Sequence, residues 1–136
     1  MKNRSELREI AMKILYQIYI LEDAKLEYDL NEIIKEQIEI ENSFVNELIK
    51  GVLSNQEKLI SLANKYMVDW KIERLNKVDK AIFCLGIYEL LYTSTPSVVA
   101  INEAVELSKK YSDLKVVKML NGILDKIYHN EDNYAG

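Results

Sequence analysis

The chain has 136 residues, of which 49% are hydrophobic and 29% charged, with four Gly and one Pro. That length suits one domain, residues 1–136, and is too short for a dinucleotide-binding unit plus a substrate domain. Low Gly and Pro content with dispersed apolar residues excludes collagen-like, low-complexity and disordered classes. A lone cysteine, Cys84, makes no internal disulfide, and a lone histidine, His129, leaves no cluster for a metal or a Ser-His triad. The longest uncharged stretch, Leu90 to Asn102, is interrupted by Pro96 and is shorter than the roughly 20 residues of a membrane span. The expectation is a cytoplasmic protein with no membrane contact and no cofactor.

Net charge is −4, so any binding to nucleic acid must rest on local positive charge. The charge is uneven. Residues 1–18 carry Lys2, Arg4, Arg8 and Lys13 against Glu6 and Glu9, and residues 107–128 carry five lysines against Asp113 and Asp125. Between them, residues 22–41 hold eight acids against Lys25 and Lys35.

The apolar spacing is helical throughout. Leu7, Ile10, Ala11, Ile14, Leu15, Ile18 and Leu21 form one stripe, entered through an Asn3/Glu6 capping pair. Leu26, Leu30, Ile33 and Ile34 form a shorter one. Phe44, Leu48, Gly51, Val52, Leu59, Leu62 and Ala63 predict a third, longer helix, in which Gly51 admits a closely packed neighbour. After Trp70 a short linker helix is expected, then a helix from Val78 to Tyr92 that is apolar nearly all round and therefore central. Within it Glu89 must reach the surface or find a partner. Thr93 to Ser97 breaks the chain at Pro96, with Ser97 as the expected cap of the next helix. In that helix Glu106 and Lys110 are expected to pair at i, i+4. Ser112-Asp113 caps a last helix carrying Val116, Val117, Leu120, Ile123, Leu124 and Ile127. Six or seven helices and an all-α class follow.

No phosphate loop, HExxH, CxxC or GxSxG is present, which leaves no basis for an enzyme. Cys84 lies among Phe83, Leu85 and Ile87 and reads as a buried small hydrophobe. In the first helix Arg4 and Arg8 stack one turn apart, with Tyr16 two turns on and about 80° round. Arginine forks onto phosphates and tyrosine stacks on unpaired bases, although an ordinary solvated face has the same composition. In the last helix Lys115, Lys118 and Gly122 share a side, and packing against a neighbouring helix is the simplest reading of Gly122.

The segments Leu7-Arg8-Glu9-Ile10-Ala11 with Leu15-Tyr16, Phe44-x-x-x-Leu48-x-x-Gly51-Val52, Trp70-x-x-x-Arg74-Leu75, Tyr88-Glu89-Leu90, Ala100 to Leu107 and Asn121-Gly122-Ile123-Leu124-Asp125 occur in one order over nearly the whole chain. In this combination the chain resembles the NusB family of bacterial transcription antitermination factors. The resemblance implies two small three-helix bundles packed together and no catalysis. It also implies binding of single-stranded boxA RNA with the small-subunit ribosomal protein NusE, in an assembly with RNA polymerase and other Nus factors that promotes ribosomal RNA transcription. Homodimers that hide the RNA surface occur among such proteins. Carried over by position, Arg4, Arg8 and Tyr16 match the arginine-rich first helix, and Lys118 matches a basic position of the last. Asp79 and Glu89 match acidic positions suited to a basic ribosomal protein. With the remaining cations of the two basic ends, the expected RNA-binding set is Lys2, Arg4, Arg8, Lys13, Tyr16, Lys115 and Lys118, and both ends are expected to converge on one cationic patch. A helical scaffold without RNA contacts, or the accessory domain of an RNA cytosine methyltransferase, are the rival readings.

Overall fold

The computed structural model describes residues 2–134. Among these there are seven α-helices, one 3-10 turn and no strand: α1 (Arg4–Asp23), α2 (Leu30–Gln37), α3 (Ser43–Ser54), α4 (Gln56–Tyr66), the turn Ile72–Arg74, α5 (Lys77–Tyr92), α6 (Ser97–Tyr111) and α7 (Leu114–Asn130). The all-α reading holds. No described helix is long and apolar enough to cross a membrane.

Helix α5 is the axis. Every residue from Ala81 to Leu91 is buried, and α1, α3, α4, α6 and α7 all pack on it. A helix with no polar face gains most when neighbours cover every side. Helices α1, α2 and α3 gather on one flank of α5, and α4, α6 and α7 on the other. Leu15, Ile18, Leu48, Phe83, Ile87, Leu120 and Leu124 belong to one continuous core.

Local chemistry accounts for the helix ends. Asn3 accepts from the Glu6 backbone N–H at 2.8 Å while Glu6 accepts from the Asn3 N–H at 3.2 Å, closing the expected capping box. Asn42, Asn76 and Asp113 each accept from the N–H three residues on.

Three expectations change. The long third helix is two, because the Asn55 side-chain amide and the Asn55 N–H both donate to the Gly51 carbonyl and end α3 there. Pro96, not Ser97, occupies the N-cap of α6, and no side chain caps it. Glu106 pairs with Lys109 at 3.0 Å, while Lys110 reaches across to Glu9 at 2.8 Å.

The two informative glycines behave oppositely. A methyl group on Gly51 would overlap the Tyr88 ring, so the glycine makes the slot for that ring between α3 and α5. Tyr88 stacks on Tyr92 with centroids 5.3 Å apart, and Tyr92 meets Tyr134 at 4.9 Å. The residues after α7 return to α5: the Tyr134 N–H donates to the Leu91 carbonyl at 2.6 Å and the Asn133 amide to the Leu90 carbonyl at 2.8 Å, satisfying carbonyls a helix end leaves open. A methyl on Gly122 would meet nothing within 4 Å, so the expected packing role is not the one found. Gly122 lies exposed within α7.

Substitution by alanine therefore separates them. Gly122→Ala removes a helix-interior glycine in open space and raises stability by about 0.5–1 kcal/mol. Gly51→Ala gains the same propensity but evicts Tyr88, for a net loss of about 1–2 kcal/mol. Thermal unfolding followed by circular dichroism gives Tm shifts of opposite sign; a rise in both would show that Tyr88 relocates without cost.

Candidate nucleic-acid interface

Helices α1 and α5 run antiparallel, which is visible in their side-chain ties. Lys77 of α5 meets Asp23 of α1 at 3.5 Å, Lys80 lies 4.3 Å from the Tyr19 ring centroid, and Glu89 meets Arg8. The start of α1 therefore stands at the C-terminal end of α5. Helix α6 folds back along α5 and ends at its start, where the Ser112 hydroxyl donates to Asp79. Helix α7 begins just after, at the N-terminal end of α5.

This arrangement separates the two basic ends. Asp79 and Glu89 are ten residues apart, about 15 Å along the α5 axis at 1.5 Å per residue. Lys2 and Arg4 lie beyond the Glu89 level, and Lys115 lies near the Asp79 level. The expected convergence on one patch is not found: the first basic stretch starts at the C-terminal end of α5 and the second at its N-terminal end, as two cationic poles.

At the first pole Arg4 is exposed, with Cζ 4.3 Å from the Phe44 ring centroid. Lys2 is exposed on the rim of a hollow of about 600 Å³ that Leu7 and the α2–α3 connection also line. Arg8 is a different case. Only 7% of its surface is accessible. Its Nε and Nη2 donate to the two carboxylate oxygens of Glu89 at 2.7 and 2.6 Å, and its Nη1 lies 3.4 Å from Glu103. Burial opposes the guanidinium charge, but the hydrogen bond and charge of Glu89 and the charge of Glu103 outweigh it and raise the Arg8 pKa. Thr95 donates to Glu89 Oε2 at 2.8 Å, and among the described residues no fully buried side-chain polar atom lacks a hydrogen-bond partner. The expectations that Arg8 faces RNA and Glu89 faces a partner protein both give way: each neutralises the other inside the fold.

Asp79 is likewise internal, 4% exposed. Burial raises its carboxyl above the ordinary range, against the Ser112 hydrogen bond that lowers it. It ties the start of α5 to the α6–α7 corner and offers no charge to a partner surface.

Between the poles, Lys13 and Tyr16 are exposed on α1. Lys110 and Tyr111 both donate to Glu9, whose carboxyl these hydrogen bonds hold below its usual range. At the second pole Lys115 and Lys118 lie exposed one turn apart on α7. Lys115 Nζ is 5.4 Å from the Trp70 ring centroid, and Arg74 Cζ is 5.9 Å from it. Six expected RNA-facing residues are thus accessible: Lys2, Arg4, Lys13, Tyr16, Lys115 and Lys118. Phe44 as the shelf under Arg4, and Trp70 between two cations, went unread, although Trp70-Lys71-x-x-Arg74 already interleaves an aromatic with basic residues.

Removing Arg8 tests the internal pair. Arg8→Ala leaves a buried carboxylate without its cation and costs about 3–5 kcal/mol near neutral pH. Arg8→Met combined with Glu89→Leu recovers most of the loss. Urea unfolding of the three proteins near neutral pH measures this; an Arg8→Ala protein as stable as the parent would show the pair to be dispensable.

The NusB family model matches residues 5–129. The chain is 40% identical over 131 residues to the transcription antitermination protein NusB of Macrococcus caseolyticus, covering 95% of this chain and 98% of that one. Among solved structures, T. maritima NusB superposes with a TM-score of 0.81 at 31% identity, covering 97% of this chain and 94% of the other. A chain from a structure of antitermination factors NusB and NusE in complex with dsRNA gives 0.76 at 27% identity, with 93% and 96% covered.

Proposed function

The chain belongs to the NusB family, and on that footing we propose that it is a cytoplasmic transcription antitermination factor that binds the single-stranded boxA element of nascent RNA together with the ribosomal protein NusE. It is a regulator and not an enzyme. The observation that carries the reading is the match to antitermination proteins over nearly the full length of both chains. The solved structure of NusB and NusE in complex with dsRNA supports NusE and RNA as classes of partner. In this reading the assembly includes RNA polymerase and the other Nus factors and promotes ribosomal RNA transcription.

The free side chains supply the chemistry. Lys2 and Arg4 at one pole and Lys115 and Lys118 at the other meet phosphates, Lys13 lies between them, and Tyr16 offers a ring to an unpaired base. These five cations are few, and the chain as a whole is acidic. RNA is therefore held weakly by this protein alone and better beside a basic partner, whose charge adds to the local field. Arg8, Glu89 and Asp79 take no part in contact.

Gel shifts with boxA RNA, with and without NusE, test the proposal. Expected is weak binding alone and tighter binding with NusE. The slope of log K against log salt for the protein alone should be no steeper than about −3.5, at roughly 0.7 per neutralised phosphate on a single strand. Arg4→Glu and Lys118→Glu should each weaken binding without changing helicity. A mobility shift that needs NusE and is indifferent to both reversals, with crosslinks on NusE only, would establish the scaffold reading instead.

A further inference from the structure

Trp70 is the only tryptophan in the sequence, and 37% of it is accessible although it is a large aromatic residue. It is held on a fixed loop. The loop turns at Asp69 in the left-handed region, with φ of 59°, a conformation that non-glycine residues adopt sparingly. Just beyond, Ile72 is fully buried and its N–H donates to the Asn64 side chain at 2.8 Å, while the Asn64 amide donates to Glu73 at 3.1 Å. An exposed indole on an anchored loop is a preformed surface, and binding to it orders little.

The indole is flanked by cations from two separate parts of the chain: Arg74 from its own loop and Lys115 from α7. Lys71 and Arg74 line the adjoining hollow of about 340 Å³, together with Asn64, Met67 and Asp69. Lys118 continues the positive charge one turn along α7. The acidic neighbours are Asp69, Asp113 at the α7 cap, and Glu73, whose carboxyl is tied to Asn64. Nothing in the core requires this ring to remain exposed between two cations.

We propose that Trp70 is a base-stacking platform, and that it, with Arg74 and Lys115, takes an unpaired nucleotide of single-stranded RNA. A cation beside an exposed ring is a modest interaction, and a stacked base is a stronger one. A base can therefore displace one cation from the indole face, and the displaced charge stays within reach of the phosphates on either side. Planar arginine and flexible lysine are both suited to that exchange. The inference rests on the RNA-binding reading above and extends its footprint beyond α1 and α7.

Because Trp70 is the sole indole, its fluorescence reports this site alone. The full chain is titrated with a dye-labelled single-stranded boxA RNA for anisotropy, and with the unlabelled RNA for tryptophan emission. The expected result is quenching that saturates in parallel with anisotropy, an affinity loss of about tenfold in Trp70→Ala, as a single lost stack gives, and recovery of most of it in Trp70→Phe. Where NusE is needed for binding, emission is read as the difference between the parent and Trp70→Phe complexes. Anisotropy that rises with unchanged Trp70 emission overturns the platform and leaves RNA binding intact. No rise in anisotropy, alone or with NusE, overturns the RNA-binding reading and the platform with it. Quenching by poly-glutamate but not by RNA assigns the surface to an acidic protein segment and also overturns the proposal.

Discussion

The buried pair between Arg8 and Glu89 governs much of this structure. Glu89 sits in the stretch of α5 from Ala81 to Leu91 that is buried at every position, so burying it requires a cation. Arg8 supplies that cation through two parallel hydrogen bonds, the geometry a guanidinium makes best. Glu103 of α6 and Thr95 of the α5–α6 turn complete the set. One charge cluster thereby fixes the relative position of α1, α5, α6 and a turn. Its net effect on stability need not be large; its effect on geometry is, since each partner left alone would be a buried unpaired charge.

That internal use of Arg8 also determines what remains for function. An arginine in a basic helix beside tyrosine reads as a nucleic-acid contact, and here it is not available. What faces outward is sparser: Lys2 and Arg4 at one end of the α5 axis, and Lys115, Lys118 and Arg74 at the other. For an acidic chain this division has a physical consequence. On the proposed RNA-binding reading, neither pole alone neutralises many phosphates, so neither holds RNA firmly at physiological salt. Specific retention then needs a strand that engages both poles, or a basic partner that strengthens the field at one.

Much of this was legible in the residues themselves. The stripe from Leu7 to Leu21, the all-apolar stretch around Phe83 and the Asn3/Glu6 box read directly as helices, because each rests on neighbours three or four positions away. Gly51 was legible as a place of close approach. Two kinds of feature were not. The end of α3 at Ser54 depends on Asn55 turning its side chain back onto the Gly51 carbonyl, a competition between local bonds that apolar spacing does not register. The long-range pairs were equally hidden: Arg8 with Glu89 is separated by 81 residues, and nothing local distinguishes a buried arginine from Arg4 one turn before it. Glu89 was the available clue, since a lone carboxylate in an apolar stretch demands a cation, but nothing in the sequence says which one.

Separated poles change how affinity is built. Two weak contacts joined by one flexible strand act as a bivalent ligand, in which the second contact forms at an effective concentration set by the strand length between them. A strand too short to span the α5 axis gains one foothold only, whereas a longer one gains both without any new side chain. Binding of this kind is sensitive to RNA length and secondary structure, because a paired segment is too stiff to follow two surfaces and hides the bases that Tyr16 and Trp70 could stack upon. On the proposed RNA-binding reading, an unpaired strand follows both poles where a paired one does not, and the placement of those poles is set by an apolar helix and one buried ion pair.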